Sequence, residues 1–550
     1  MYGKITAVAA VVAVAAGALF AGSAIKRDLE IKKFVGAMPL ERKIGQMMMV
    51  GVPGTKMSPR AQALIERIAP GGIILFGYNL SDRARTAAFI ADLQGAALDA
   101  RGIPLFVSID QEGGRVRRIV DGVTQFPGNM PMGVVNDTGL VLRAARILGT
   151  ELRLMGVNMN LAPALDVNNN PENPVINTRS FGSDPAVVAA MGRAYIQGLQ
   201  GARCMAVGKH FPGHGDTGSD SHHVLPVIHY GMEHLRKVEL PPFATAIEED
   251  VSGIMSVHIS YPSILEEGVP ATLSPKILTD LLRKEMGHRG LVLTDDMEMN
   301  AVSRLMDIGE AAVRSIEAGT DIVLISTSGE SIERIQKAVL EAVAGGRLGE
   351  SRIDESVRRI VEAKLRYSIM ELASGNARTA APAYSVHDLE VLEEGPALNS
   401  ELSRRALYYH GSGLFAPEEG SFEAAYIVTA SPVLRRELVE RPVPGLVVLG
   451  DTAELASALR NKAAHSRLVY LHVDRPEPEI LSRISLLRDM RNTRLFIIST
   501  GNPFPVAAIS PLPPTLFSFS NTDESLKAVA ACLRGEFAPR TDVNVYLGIR

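Results

Sequence analysis

Cysteine is nearly missing from this chain. Two thiols, Cys204 and Cys532, stand far apart among 550 residues and share no metal-ligand spacing. Disulfides therefore do not hold the protein together, and cysteine usage does not reveal its redox compartment. Cys204 borders the apolar run CMAVG and reads as a small core residue. Basic runs and aromatic-basic stripes are also missing, and the net charge is −4. That excludes the usual signature of a nucleic-acid partner. It leaves local patches free to meet an anionic polymer, because a patch can differ from the net charge. Short repeats and low-complexity tracts are absent outside the N-terminus.

What is present is apolar mass. Hydrophobic residues make up 46% of the chain and charged residues 21%, ample for sizeable cores. The length argues for two or three domains. The N-terminus reads MYGKITAVAAVVAVAAGALFAGSAIKRDLE, with one lysine before an apolar run from Ile5 to Ile25. That run is long enough to span a bilayer and has no polar face. Small residues near Ala21, Ser23 and Ala24 also suit a secretory signal. Residues 1–27 are thus expected to be an export signal or a membrane anchor, with the remainder of the chain exported. The length of the run favours an uncleaved segment, and no cysteine ends it for lipid attachment.

Beyond it a rhythm sets in. Eight short apolar runs alternate with helical-period segments: KIGQMMMVGV, GGIILFG, PLFVSID, VNMNLAPALDV, CMAVGKH, GIMSVHIS, GLVLTDD and DIVLIST. Such alternation predicts a (β/α)8 TIM-type barrel, over residues 28–372. A barrel of this kind carries its working groups at the C-terminal ends of its strands. Polar residues fall there: Asp110, Asp166, Lys209 with His210, His258 and Asp295. Any one of them could be a structural cap; together they outline a polar pocket on one face. Residues 373–395 read as a linker, small, polar and Pro-containing at their start. A second alternation over 396–550 (AAYIVTA, GLVVLG, RLVYLHV, RLFIIST, TLFSFS) predicts a smaller parallel-sheet α/β domain without a comparable catalytic cluster.

Titratable groups crowd one stretch, KHFPGHGDTGSDSHH, from Lys209 to His223. Its histidines and Asp216 are metal-ligand types, but the spacing matches no helical zinc motif, and Pro212 and Gly213 interrupt any regular helix. Ser219 and Ser221 lie near His222, yet no GxSxG elbow is present. Glycoside chemistry fits better. A retaining glycosidase needs a nucleophilic carboxylate on one side of a sugar and a proton donor on the other. Asp295, at the end of the seventh strand within GLVLTDD, is placed to be the first. His222, oriented and charge-stabilised by Asp220, offers the second on a glycine-rich loop able to swing.

Four segments carry a resemblance: DQEGGRVRR (110–118), LAPALDVNNNPENPVINTRSFGSDP (161–185), KHFPGHGDTGSDSHH (209–223) and GLVLTDDMEMN (290–300). With them the chain resembles glycoside hydrolase family 3, in its β-N-acetylglucosaminidase branch. GNPF (501–504) and LRGEFAP (533–539) extend the likeness more weakly into the family's α/β sandwich domain. The resemblance implies that Asp295 is the nucleophile, His222 the acid/base and Asp220 its partner. It implies that Asp110, Arg118, Arg179, Lys209 and His210 grip an N-acetylglucosamine ring. Asp296 is a rival nucleophile, but the family places the reactive carboxylate directly after Thr or Ser. His214 and His223 read as hydrogen-bonded loop histidines. Met297-Glu298 depart from the small residue often found after the nucleophile in relatives.

The expected activity is retaining, exo-acting hydrolysis of terminal β-linked GlcNAc from peptidoglycan fragments or chitooligosaccharides. No metal or organic cofactor is called for, since two side chains carry the chemistry. Two alternatives keep the same barrel. One is a phosphorylase, since a neutral histidine repels phosphate less than a carboxylate does. The other is a membrane-tethered binding protein for cell-wall sugars, against which the joint presence of Asp295, His222 and Asp220 argues.

Overall fold

The computed structural model describes residues 24–550 apart from 102, 222, 328, 375–384, 412–423, 461–466, 475–483, 485–486, 489–492, 543–546 and 548–550. The N-terminal apolar run lies almost wholly outside the described residues. Among the described residues no helix is long and apolar enough to cross a membrane.

All eight expected runs are strands, and they close into one parallel barrel. In order they are β1 (Met48–Gly51), β2 (Gly72–Leu75), β3 (Phe106–Ile109), β4 (Met159–Asn160), β5 (Met205–Phe211), β6 (Gly253–Ser256), β7 (Leu291–Asp296) and β8 (Ile322–Ile325). Each pairs with its sequence neighbour, and β8 closes on β1. Nearly every strand residue is buried, because helices cover the outside and side chains fill the inside. That is why the strands read as continuous apolar runs rather than alternating ones. The helices between them carry their own start signals. Asp184 accepts from the Ala186 amide at 2.8 Å with Pro185 in the first turn, opening the helix Pro185–Gly201.

The N-terminal ends of the strands hold a separate polar layer. Asp321, just before β8, is fully buried and gathers Arg283, Arg352, Arg359 and the Ser356 hydroxyl. Lys364 projects into the same end, donates to Gln46 Oε1 at 2.9 Å and lies over the Phe106 ring. These contacts tie the last barrel helix, Glu350–Arg366, back to the strands.

The second domain is one six-stranded sheet ordered β11-β10-β12-β13-β14-β9. The strands are β9 (Tyr408–His410), β10 (Ala424–Val428), β11 (Leu446–Leu449), β12 (Arg467–Val473), β13 (Thr493–Ser499) and β14 (Thr515–Phe517). The five expected strands run parallel; the sheet is mixed because β9 joins its edge antiparallel to β14. Both faces are packed, as the period of β12 shows: Val469, Leu471 and Val473 enter one core, Leu468 and Tyr470 the other. The first of these cores also takes Met130 and Val134 from the barrel-side helix Asn129–Val135. Arg540 fastens the same helix, donating to the Val134 and Val135 carbonyls at 2.9 and 3.3 Å.

The segment read as a linker contains a helix, Val386–Glu393. Ser385 caps it by accepting from the Asp388 amide, and Asp388 reaches back to the Ser385 amide. It lies on the barrel helix Thr138–Leu154, where Arg153 pairs with Asp388 and Arg143 with Glu394 just past the helix end.

Candidate active site

Buried strand ends and the loops beyond them enclose a cavity of about 260 Å³ at the C-terminal face of the barrel. Asp110, Arg118, Arg179, Lys209, His210, Asp220 and Asp295 all line it. Seven of the eight residues singled out from the sequence therefore meet around one space. The eighth, His222, lies outside the described residues.

Strand geometry explains the convergence. Asp110 directly follows β3, Lys209 and His210 stand near the end of β5, and Asp295 sits near the end of β7. Arg179 closes a one-turn helix, Asn177–Arg179, in the loop after β4. Asn129 Nδ2 fixes that turn by donating to the Arg179 carbonyl at 2.6 Å.

One wall is an ion network. Lys209 Nζ donates to Asp110 Oδ1 at 2.6 Å and contacts Glu112 Oε1 at 2.8 Å. Arg179 grips Glu112 with two bonds, Nε to Oε2 at 3.0 Å and Nη2 to Oε1 at 2.8 Å. Arg118 stands 3.8 Å from Asp110 Oδ2. Burial would push the Glu112 carboxyl up; Arg179 and Lys209 outweigh it and hold it far below the usual carboxylate range. The Lys209 ammonium is in turn kept charged despite burial by Asp110 and Glu112.

Asp166 organises the histidines. It is fully buried, and its Oδ2 lies 2.7 Å from His210 Nδ1. Its Oδ1 accepts from the backbone amides of His210 at 3.1 Å and His214 at 2.8 Å. The His210 Nε2 edge then faces Arg179 at 3.3 Å. His214 is buried beside it, with Thr217 Oγ1 2.8 Å from Nδ1 and Ser221 Oγ 3.3 Å from Nε2. Burial and the neighbouring His210 push its imidazole down to about 4. His214 is thus a neutral brace within the loop. Among the described residues, no three carboxylate, thiol or imidazole groups converge as metal ligands would.

The floor carries two adjacent carboxylates with different surroundings. Burial acts to raise Asp295, but His210, His258, the Asp296 amide and Lys209 prevail and hold it below its ordinary range. Its Oδ1 accepts from the Asp296 amide at 2.8 Å. Asp296 is shifted the other way by burial, and its Oδ1 is occupied by the amides of Ser326 and Glu298, each at 3.1 Å. Of the pair, Asp295 is the one whose surroundings favour the anion more strongly. Glu298 turns away from the cavity to bond Thr327 and Ser331, and Met297 is buried.

The loop after β5 has a fixed base. Asn173 Nδ2 donates to the His214 and Gly215 carbonyls at 2.8 and 2.9 Å, and the Tyr261 hydroxyl to the Gly213 carbonyl at 2.6 Å. Asp220 rides on the outer part, where it is half-buried.

Sequence reasoning passes over three contributors. Glu112 lies inside the quoted DQEGGRVRR segment, but its partners arrive from β5 and the β4 loop. Asp166 is visible as a polar strand end without a role. Arg115 lines the cavity and lies within the electrostatic reach of Asp220.

Comparison with known proteins agrees with this picture. Residues 39–363 match the family described as Glycosyl hydrolase family 3 N terminal domain. The chain belongs to glycosyl hydrolase family 3, and it is a glycoside hydrolase. It is 35% identical to the beta-hexosaminidase A of Pseudoalteromonas piscicida over 354 residues, 60% of this chain and 59% of that protein. It is 33% identical to a beta-hexosaminidase of Nitrosomonas eutropha over 324 residues, 57% of this chain and 91% of that one. A family 3 beta-N-acetylglucosaminidase structure from Paenibacillus sp. str. FPU-7 superposes with a TM-score of 0.84 at 35% identity. It covers 94% of this chain and 100% of its own.

Proposed function

We propose that this chain is an exported, retaining exo-β-N-acetylglucosaminidase acting on cell-wall fragments or chitooligosaccharides. The observation that carries the reading is Asp295: a half-buried carboxylate held below its ordinary range on the floor of a pocket lined by Lys209, Arg179, Arg118 and Asp110. The named relatives support the same activity. The apolar run at residues 5–25 supports export.

In this reading Lys209, Arg179 and Arg118 donate to the hydroxyls and acetamido group of the terminal ring, and Asp110 accepts. Asp295 attacks the anomeric carbon as the bond to the leaving oxygen breaks. His222 supplies that oxygen with a proton, and Asp220 steadies the imidazolium. Water then attacks the same carbon, returns a proton to His222 and frees Asp295. Two inversions leave the configuration retained. A pocket closed by the barrel floor admits a chain end and not its middle, which favours exo action.

The test is release of 4-nitrophenol from the β-glycosides of GlcNAc and of glucose by the full chain, beside Asp295→Ala and His222→Ala. Turnover of the GlcNAc substrate alone, lost by at least about a thousandfold in Asp295→Ala, is expected. Preference for glucose, or strict dependence on added phosphate, would displace the hydrolase reading in favour of a glucosidase or a phosphorylase.

A further inference from the structure

The rim of the cavity carries an aromatic pair that the chemistry above does not use. Phe76, just past β2, lines the cavity. Tyr78 lies stacked on it, ring centroids 5.6 Å apart and planes 15° from parallel. One face of Tyr78 is therefore covered, yet the residue remains 60% exposed. This chain has no tryptophan and only 5% aromatic residues, and most of its large apolar side chains are buried. An outward-facing ring beside a sugar-sized pocket calls for an occupant.

The turn that carries the ring is also held still. Asn79, 1% exposed, accepts from the Phe76 amide at 3.0 Å through Oδ1. Its Nδ2 donates to the Val52 and Gly54 carbonyls, both at 2.8 Å. The short helical turn Gly77–Asn79 is thus pinned to the loop after β1. Gly77 faces the carbonyl of Arg118, whose own side chain lines the cavity. The platform and the pocket therefore share a wall.

We propose that the outer face of Tyr78 is the aglycone platform of this site, taking the apolar face of a second, β-linked pyranose ring. The inference rests on the glycosidase reading above and specifies how the sugar next to the cleaved one is held. In a β-linked pyranose with equatorial substituents the axial C–H groups at C1, C3 and C5 line one face. That face buries apolar area against an aromatic ring and meets its negative π-surface with weakly positive hydrogens. A preorganised ring gains this contact without an ordering cost. Chitooligosaccharides and muramic-acid disaccharides both offer such a face. Only the second adds a carboxylate, which Arg115, exposed at the cavity, is placed to meet.

The experiment measures kcat/KM of the full chain for methyl β-N-acetylglucosaminide, for chitobiose and for GlcNAc-β-1,4-MurNAc. It is repeated with Tyr78→Ala and Tyr78→Phe. The ratio of disaccharide to methyl glycoside is expected to fall about tenfold in Tyr78→Ala and to hold within about twofold in Tyr78→Phe. The disaccharide with the higher wild-type value names the source. An active enzyme whose ratio is unmoved by Tyr78→Ala, or lost equally in Tyr78→Phe, overturns the platform alone. A folded wild type inert on all three glycosides overturns the N-acetylglucosaminidase reading, and the platform with it.

Discussion

Charge balance behind the pocket wall is decided by a residue almost wholly shielded from solvent. Glu112 is 2% exposed; both its oxygens accept from Arg179, and Oε1 also meets Lys209. Without it, two cations would face each other across a dry wall with only Asp110 and Asp166 nearby. Glu112→Gln keeps the shape and removes the charge. It is expected to raise KM roughly tenfold and to cost about 3 kcal/mol or more, because a broken buried pair leaves uncompensated charge. Denaturant unfolding beside steady-state kinetics checks both; a variant with wild-type KM and midpoint would remove Glu112 from this role. The contrast between Asp295 and Asp296 belongs to the same scale. Neighbours in sequence and equal in chemistry, they part only through their surroundings: burial is outweighed at Asp295, chiefly by two imidazoles, and prevails at Asp296 over the amides that bond it. Family pattern alone points to Asp295 as the proposed nucleophile; the electrostatic difference that favours it is visible only in the fold.

The β5 loop shows how an element can be rigid at its root and available at its tip. Gly215 lies so close to the β4 loop that an added Cβ would stand 1.6 Å from the Val167 carbonyl oxygen. Nothing stands within 4 Å of a Cβ added at Gly218. Gly215→Ala is therefore expected to destabilise by about 1–3 kcal/mol and to lower kcat more than KM, by shifting the root beneath Asp220. Gly218→Ala should stay within about 0.5 kcal/mol of wild type, as an open surface position does. Thermal unfolding and kinetics of the pair separate root from tip; equal effects would mean the loop moves as one piece. Gly213, with φ of 145°, sits at the start of that root against Glu239. Two further elements are hidden in the sequence for plain reasons. The edge strand β9 is three residues long, too short for a period. The helix Val386–Glu393 is announced by Ser385 and Asp388, a capping-box spacing masked by the small, polar residues before it.

For the molecule as a whole, the barrel's two ends divide labour. The C-terminal end holds the pocket; the N-terminal end holds charges that serve stability. Burial pushes Lys364 down to about 7, and Gln46 is its hydrogen-bond acceptor. In the unfolded chain a lysine titrates near about 10.4. Between those values the unfolded state binds more protons than the folded one, so stability rises with pH across that window. Below about 7 both states are protonated and the burial cost is fully present. Lys364→Met is expected to flatten the rise in stability between pH 7 and about 10. Urea midpoints across that range measure it; an unchanged slope would mean that another group sets it. The second domain adds a different kind of support. Its core takes in Met130 and Val134, from the helix just after the Asp110–Arg118 loop. Removing the domain would expose that helix.

The order of apolar runs along the chain determined the barrel and the parallel sheet, because strands buried on both faces must be apolar throughout and parallel neighbours require helices between them. It determined which residues stand at strand ends, since a strand's last residue is a matter of counting. Tertiary structure decided which of those ends share a wall. Glu112 meets Arg179 and Lys209, and Asp166 meets His210 and His214, only because a closed barrel brings loops from distant sequence to one rim. Tyr78 belongs to the same class. In the sequence it is one of 12 tyrosines. Only the stack on Phe76 and the bonds of Asn79 set its free face beside the pocket, through contacts that no local pattern encodes.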